Sequence, residues 1–282
     1  MASLQQEDLQ RVIDALKLHT TYDLSDYSDK SLVRRVEKIM AEDGLSFEEL
    51  IARLEARGVY GEELMKRVTV NTSELFRDPE IWQAIRTQIL PTFRRQDTIN
   101  VWHVGCSRGQ EVYSMMMLLD QVGLLERTNV YASDINPVML AEAERGEYPF
   151  RFNLNYLDNF DRVMNANPLN YEERPNISYD AYLSVDKERD VIRMHDFLRA
   201  KPHYRRSDLV TCVNPFFVKF DLILCRNVLI YFNPRLQNRI FEMFYQNLYA
   251  GGAVVLGAHE MMPMPWSGYY HRRGKVYIRK GQ

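Results

Sequence analysis

Apolar residues recur at helical spacing through the first part of the chain: Leu9, Val12, Ile13 and Leu16, then Leu32, Val33, Val36, Ile39 and Met40, then Phe47, Leu50, Ile51 and Leu54. Each run describes a helix with one buried face, so the segment to about residue 68 reads as wholly helical. Asp29 or Ser31 is placed to cap the second helix, Gly44 to close it and Ser46 to open the third. Opposite the second stripe, Lys30, Arg34 and Lys38 recur at helical spacing with Arg35 beside them. That face is either an ordinary solvated one or a docking surface for an acidic partner.

Further on the period changes. Ile99–Val104 reads as a buried strand and Val112–Leu119 as a helix, so Gly105 to Glu111 must turn one into the other. Such a turn is where an α/β fold binds its ligand, and Gly105 and Gly109 allow close approach and positive φ; any strand-to-helix turn also needs small residues for steric reasons. Neither Gly-x-Gly-x-x-Gly nor a P-loop ending is present, which points to a nucleoside without phosphates, S-adenosylmethionine being the common one. A second strand, Asn129–Ser133, ends at Asp134, where nucleoside-binding domains place the carboxylate that holds ribose hydroxyls; the other reading is a turn residue before an Asn136-Pro137 cap.

Residues 165–190 carry a weak pattern and read as an inserted subdomain after a helix over 157–164, and residues 199–219 read as a long surface connection. Strands are expected at Asp190–Met194, Phe220–Cys225, Ala253–Leu256 and Lys275–Arg279, the last two as a hairpin at one edge. Arg226-Asn227 leaves the Phe220 strand at the carboxyl edge of the sheet, and Asn233-Pro234 starts a helix that Gly251-Gly252 stop. The expected architecture is a small all-α domain over 1–68, then an α/β, Rossmann-like domain over 69–282 with a mixed, mostly parallel sheet.

A hydrophobic fraction of 46% over 282 residues can bury a core, and a net charge of −2 argues against a nucleic-acid partner. Cys106, Cys212 and Cys225 are too scattered for a disulfide framework or a metal site. No apolar run reaches membrane-span length and the N-terminus lacks a signal peptide's pattern, so a cytoplasmic protein without membrane insertion is expected.

Four separated stretches resemble the CheR family of chemotaxis-receptor methyltransferases: Asn71-Thr-Ser-Glu-Leu-Phe-Arg77, Gly105-Cys-Ser-Arg-Gly-Gln-Glu-Val-Tyr-Ser114, Asp134 with Gly146-Glu-Tyr-Pro149, and Cys225-Arg-Asn-Val-Leu-Ile-Tyr-Phe232. The helical front, with its basic Ser31-Leu-Val-Arg-Arg35, also looks like the family's receptor-docking domain. The resemblance implies transfer of a methyl group from S-adenosylmethionine to glutamate carboxylates on the cytoplasmic helices of chemoreceptors, giving S-adenosylhomocysteine, with no metal. It implies cofactor contacts at Asn71, Ser73, Arg77, Gly105, Glu111, Asp134, Asp196, Phe197, Asn227 and Val228, with Arg77 and Tyr231 near the methyl group. Ser73 replaces the usual threonine, Arg108 a small residue and Val112 a frequent proline. Many members also grip a receptor's C-terminal pentapeptide with an Arg-x-Gly loop in a β-subdomain; this chain lacks that loop, so tethering is not carried over.

Methyl transfer to a carboxylate is a direct displacement, and a glutamate with a pKa of about 4.3 is already ionised at neutral pH. The enzyme's contribution is then alignment, which can supply roughly 7–11 kcal/mol. Arg77 is either a fork for a carboxylate or the partner of Asp78 or Glu80 in a salt bridge. Tyr231 either positions the acceptor or is a core aromatic beside Phe232. The competing function is a non-catalytic S-adenosylmethionine-binding signalling module.

Overall fold

The structure, a computed structural model, describes residues 4–56, 58–69, 72–165 and 176–281. It forms two compact units, Met1–Val70 with Leu229–Ile240, and Asn71–Val228 with Phe241–Gln282.

Among its described residues the first unit holds α1 (Gln6–His19), α2 (Asp29–Asp43), α3 (Phe47–Glu55) and α4 (Tyr60–Val68). The apolar stripes face inward: Leu9, Val12, Leu16, Leu32, Val36, Leu50 and Leu54 are buried, joined by Leu64, Met65 and Val68 of α4. Gly44 ends α2 at φ +63°, a conformation that a Cβ disfavours, and Ser46 opens α3 through a reciprocal capping box with Glu49. Neither Asp29 nor Ser31 caps α2. Ser28 stands at that position without a side-chain cap, and its N–H donates to the Tyr231 carbonyl at 2.9 Å.

The segment from Leu229 is integral to this unit. Tyr27 bridges Phe232 and meets its ring edge-on at 5.0 Å, while the Asn233 N–H donates to the Asp26 carbonyl at 2.9 Å. The Asn233 side chain accepts from the Leu236 N–H at 2.9 Å and so caps the helix that Pro234 starts, as expected. Arg35 departs from the expected solvated face. It lies three residues after Leu32 and four before Ile39, hence on the border of the buried stripe. Its guanidinium sits 4.5 Å over the Tyr231 ring and donates to the Val68 carbonyl. Lys30, Arg34 and Lys38 are exposed.

The second unit runs through α5 (Pro79–Ala84), β1 (Ile99–Val104), α6 (Gln110–Gln121), β2 (Thr128–Asp134), α7 (Pro137–Arg145), β3 (Glu147–Pro149), α8 (Asn155–Phe160), β4 (Leu183–Asp186), β5 (Val191–Met194), α9 (Asp196–Arg199), β6 (His203–Arg206), β7 (Phe220–Cys225), the end of α10 (Pro234–Asn247), β8 (Leu248–Leu256), β9 (Tyr270–Arg273) and β10 (Val276–Arg279). Seven strands form one sheet in the order β6-β2-β1-β7-β8-β10-β9. The first five are parallel, and β10 runs against both of its neighbours. This is the mixed, mostly parallel sheet that was expected. The chain winds outward from β1 to β2 and β6, then returns to β7, so the order reverses beside β1; ligands bind at the carboxyl edge there. From Val112 to Leu119, α6 is buried on every side, in one cluster with Phe76, Trp82 and Phe160, as a helix without a polar face must be.

Several details differ from the sequence reading. Residues 199–219 contain β6, which pairs with β2; its His-Tyr-Arg-Arg sequence lies mostly exposed at the sheet edge and has no apolar alternation to reveal it. β8 and β10 pair as expected, but β9 takes the outer edge. α10 ends at Asn247, and Gly251-Gly252 lie within β8. A Cβ on Gly252 would stand 2.9 Å from the Asp221 carbonyl, so this glycine serves the close approach of β8 to β7. The helix expected over 157–164 starts at Asn155 as α8 and closes in a π-turn, Asp161–Asn165. β4 joins a separate antiparallel sheet, β3-β5-β4; residues 166–175 of the inserted stretch lie outside the described residues.

Candidate active site

At the carboxyl end of β1 the chain turns sharply into α6. Gly105 (φ +67°), Ser107 (φ +51°) and Gly109 (φ +87°) alternate through left-handed conformations. A Cβ on Gly105 would lie 2.6 Å from Val228 Cγ2, and one on Gly109 would lie 2.8 Å from Ala143 Cβ. Packing within the protein therefore requires both glycines, and the steric explanation accounts for them. Asp134 closes the same turn: its carboxylate accepts from the Ser107 N–H at 2.8 Å and the Asn136 N–H at 2.9 Å. Burial pushes the Asp134 pKa above the ordinary carboxylate value, against the backbone N–H bonds that favour the ionised form. Asn136 caps α7, accepting from the Val138 N–H at 3.0 Å.

The segment leading into α5 is held at almost every residue. The Tyr156 hydroxyl donates to the Ser73 carbonyl at 3.4 Å, Asn159 to the Leu75 carbonyl at 3.1 Å, and the Phe76 N–H to Ser114 Oγ at 2.8 Å. Phe76 (φ +51°) and Asp78 (φ +55°) are left-handed on either side of Arg77. The Arg77 carbonyl accepts from Trp82 Nε1 at 2.9 Å and from Arg226 Nη2 at 2.5 Å. Both carboxylates offered as salt-bridge partners for Arg77 are engaged elsewhere: Asp78 with Arg226 at 3.1 Å and Glu80 with Arg162 at 2.8 Å. Among the described residues the Arg77 guanidinium has no hydrogen-bond or ion-pair partner.

Arg226 follows β7 and is buried. Besides Arg77 and Asp78, its Nη1 donates to Glu111 Oε2 at 3.3 Å, and its guanidinium lies 5.2 Å from the Trp82 ring centre. Glu111, in the first turn of α6, also meets His103 Nδ1 at 2.9 Å. Burial opposes Glu111 ionisation, but His103 and Arg226 outweigh it and hold its pKa below the ordinary value. The next turn is fixed by Glu260. Its buried carboxylate accepts from the N–H groups of Asn227 and Gly257 at 2.8 Å and of Val228 at 2.9 Å, with Asn227 at φ +61°.

Residues 71–159 and 159–271 match the CheR methyltransferase, SAM binding domain, and residues 7–69 match the CheR methyltransferase, all-alpha domain. The chain belongs to the CheR methyltransferase family. Cher3 of Pseudomonas putida is 35% identical over 255 residues, covering 90% of this chain and 88% of its own. Chemotaxis protein methyltransferases of Listeria monocytogenes (29% over 250 residues, 86% of each chain) and Pseudomonas aeruginosa (28% over 242 residues, 81% of this chain and 80% of its own) are also similar.

A CheR methyltransferase uses S-adenosylmethionine, and the polar groups at this sheet edge fit such a ligand. His103 Nε2, Ser107 Oγ and Gln110 Oε1 are buried without hydrogen-bond partners among the described residues, through the end of β1, the turn and the start of α6. Unpaired buried groups of this kind are costly unless a ligand or water meets them. Among the described residues no cluster of side chains could hold a metal ion.

Gly105, Glu111, Asp134, Ser73, Arg77, Asn227 and Val228 thus belong to one connected set of turns. Asp196 and Phe197 lie on α9, outside the hydrogen bonds that join these turns: Asp196 is largely exposed between Arg193 (3.9 Å) and Arg199 (3.5 Å), and Phe197 is 46% exposed. Asn71 lies outside the described residues, and Tyr231 belongs to the first unit. The sequence placed Arg226 with Asn227 at the carboxyl edge of the sheet, where such folds bind ligands, but did not reveal its ties to Arg77, Asp78 and Glu111. Glu260 left no signal, because two of the N–H groups it holds come from 33 and 32 residues away.

Proposed function

We propose that this methyltransferase acts on glutamate side-chain carboxylates in the cytoplasmic helical domain of chemoreceptors, giving methyl esters and S-adenosylhomocysteine in the cytoplasm. The Arg77 guanidinium, presented from a backbone clamped on both sides, carries this reading: a forked cation with no partner among the described residues suits a carboxylate. The chemotaxis names of relatives support the choice of receptor.

Bound S-adenosylmethionine supplies an electrophilic methyl group on a sulfonium. Asp134 would hold ribose hydroxyls through lone pairs left over from its backbone N–H bonds. Asn71, Ser73 and Arg77 would serve the methionine end, Gly105 and Glu111 the glycine turn beside it, Asp196 and Phe197 the adenine, and Asn227 and Val228 a further cofactor contact. Arg77 orients a carboxylate, and Tyr231, braced by Arg35, positions the acceptor. No residue need remove a proton, since the acceptor is already ionised at neutral pH. The helical domain over 1–68 docks the receptor through Lys30, Arg34 and Lys38, whose charge complements an acidic helix.

The test is incubation of purified protein and S-adenosylmethionine with receptor cytoplasmic fragments, followed by peptide mass mapping. Methyl esters confined to glutamates, and absent from Glu→Gln fragments, are expected. Methylation of lysine or arginine would overturn the substrate class. Tight cofactor binding with no transfer would favour the non-catalytic module.

A further inference from the structure

We infer that Arg226 is a positioning residue for the transfer reaction, setting the Arg77 guanidinium and the Glu111 carboxylate together. The inference rests on the function proposed above and extends it to a residue not assigned to cofactor or acceptor. Arg226 joins three pieces of chain that are remote in sequence: the end of β7, the kinked backbone at Arg77-Asp78 and the first turn of α6. Its side chain is 2% exposed and Nε has no partner among the described residues, so the terminal nitrogens make the hydrogen bonds seen there. Nη2 spans the Arg77 carbonyl and the Asp78 carboxylate, while Nη1 reaches Glu111.

The contact at the Arg77 carbonyl has a mechanical consequence. A buried phenylalanine in the left-handed region is unfavourable, and Phe76 at φ +51° holds that conformation only because its surroundings impose it. Ser114 restrains the residue before Arg77, and Arg226 restrains Arg77 itself and Asp78 after it. Asp78 is turned toward Arg226, which binds its Oδ2. One buried guanidinium therefore fixes the backbone that carries Arg77 and draws the neighbouring carboxylate to itself. Through Glu111 it also joins this clamp to the start of α6, and through Glu111 to His103 on β1. A lysine ammonium has one nitrogen and cannot reproduce a fork spread over three acceptors.

The experiment is a double-substitution cycle of Arg226→Lys and Arg77→Ala, read by calorimetric binding of S-adenosylhomocysteine, which needs no acceptor, and by transfer rate at saturating cofactor. Arg226→Lys is expected to stay folded by circular dichroism and to weaken binding or slow transfer roughly tenfold or more. Arg77→Ala should add little on top of Arg226→Lys, because groups acting as a unit are not additive. Guanidinium ion should restore part of the loss in Arg226→Gly. Unchanged binding and transfer in Arg226→Lys, or full additivity with Arg77→Ala, would overturn the inference. Should the native protein transfer nothing to receptors, the proposed substrate fails while the binding cycle still decides the role of Arg226.

Discussion

Glu260→Ala removes the carboxylate that receives three backbone N–H groups, those of Asn227, Val228 and Gly257, at a site 4% exposed. The Gly257 N–H is buried and those of Asn227 and Val228 are half-buried; with roughly 1–3 kcal/mol for a buried donor left unpaired and less for the other two, the loss is about 2–6 kcal/mol. That is a substantial part of the roughly 5–15 kcal/mol that stabilises a typical domain. Glu260→Gln is the more informative variant. Its oxygen can keep the place that serves both Asn227 and Gly257, while its amide nitrogen faces the Val228 N–H. One lost acceptor and weaker neutral bonds imply a cost of roughly 2–4 kcal/mol. Trp82, Trp102 and Trp266 all lie in the second unit, so tryptophan fluorescence during urea unfolding reports on it specifically. Calorimetry with S-adenosylhomocysteine should show weaker binding in parallel, because the freed turn is the one carrying Asn227 and Val228. A Glu260→Ala protein within about 1 kcal/mol of the native stability would refute the reasoning, since even one unpaired buried amide costs that much.

Other expectations use the same contacts. Gly105→Ala must hold a Cβ at φ +67° and 2.6 Å from Val228. About 1–2 kcal/mol of backbone cost plus displacement of Val228 should lower both the urea midpoint and cofactor affinity. Asp134→Ala should weaken cofactor binding by about 1–3 kcal/mol and also destabilise the glycine turn, separable by calorimetry and unfolding. Arg35→Ala should loosen the first unit by about 0.5–2 kcal/mol through loss of its contact with Tyr231, read as a lower thermal midpoint. Lys38→Ala, by contrast, should leave stability unchanged and weaken receptor binding. Glu111 has a folded pKa below its ordinary value, so its ionisation adds stability above that ordinary value, lost as pH falls toward the folded one. Glu111→Gln should flatten this part of the acid unfolding profile; an unaltered profile would contradict it.

What could be read from the sequence was what local physics determines. The stripe of α1, the Gly44 and Ser46 helix ends, the Asn136 and Asn233 caps and the β1-turn-α6 unit all depend on residues close together in the chain. β6 carries no such mark, because an edge strand exposed to water needs no apolar alternation. Arg35 differs from its expected place because its spacing beside Lys30, Arg34 and Lys38 cannot reveal an aromatic ring brought in from Tyr231. The site divides in the same way. Gly105, Asp134 and Arg77 carried local marks, whereas the clamps at Arg226 and Glu260 exist only once remote turns meet.

The most direct test of the account is transfer of labelled methyl from S-adenosylmethionine to membranes bearing chemoreceptors, scored as methanol released by alkali, for the native protein and for Arg77→Ala at saturating cofactor. Alkali-labile methanol is expected with the native protein, and its near disappearance in a folded Arg77→Ala. Equal release by the two would contradict the role given to the free guanidinium, and no release by a native protein that binds the cofactor tightly would contradict carboxylate methylation itself.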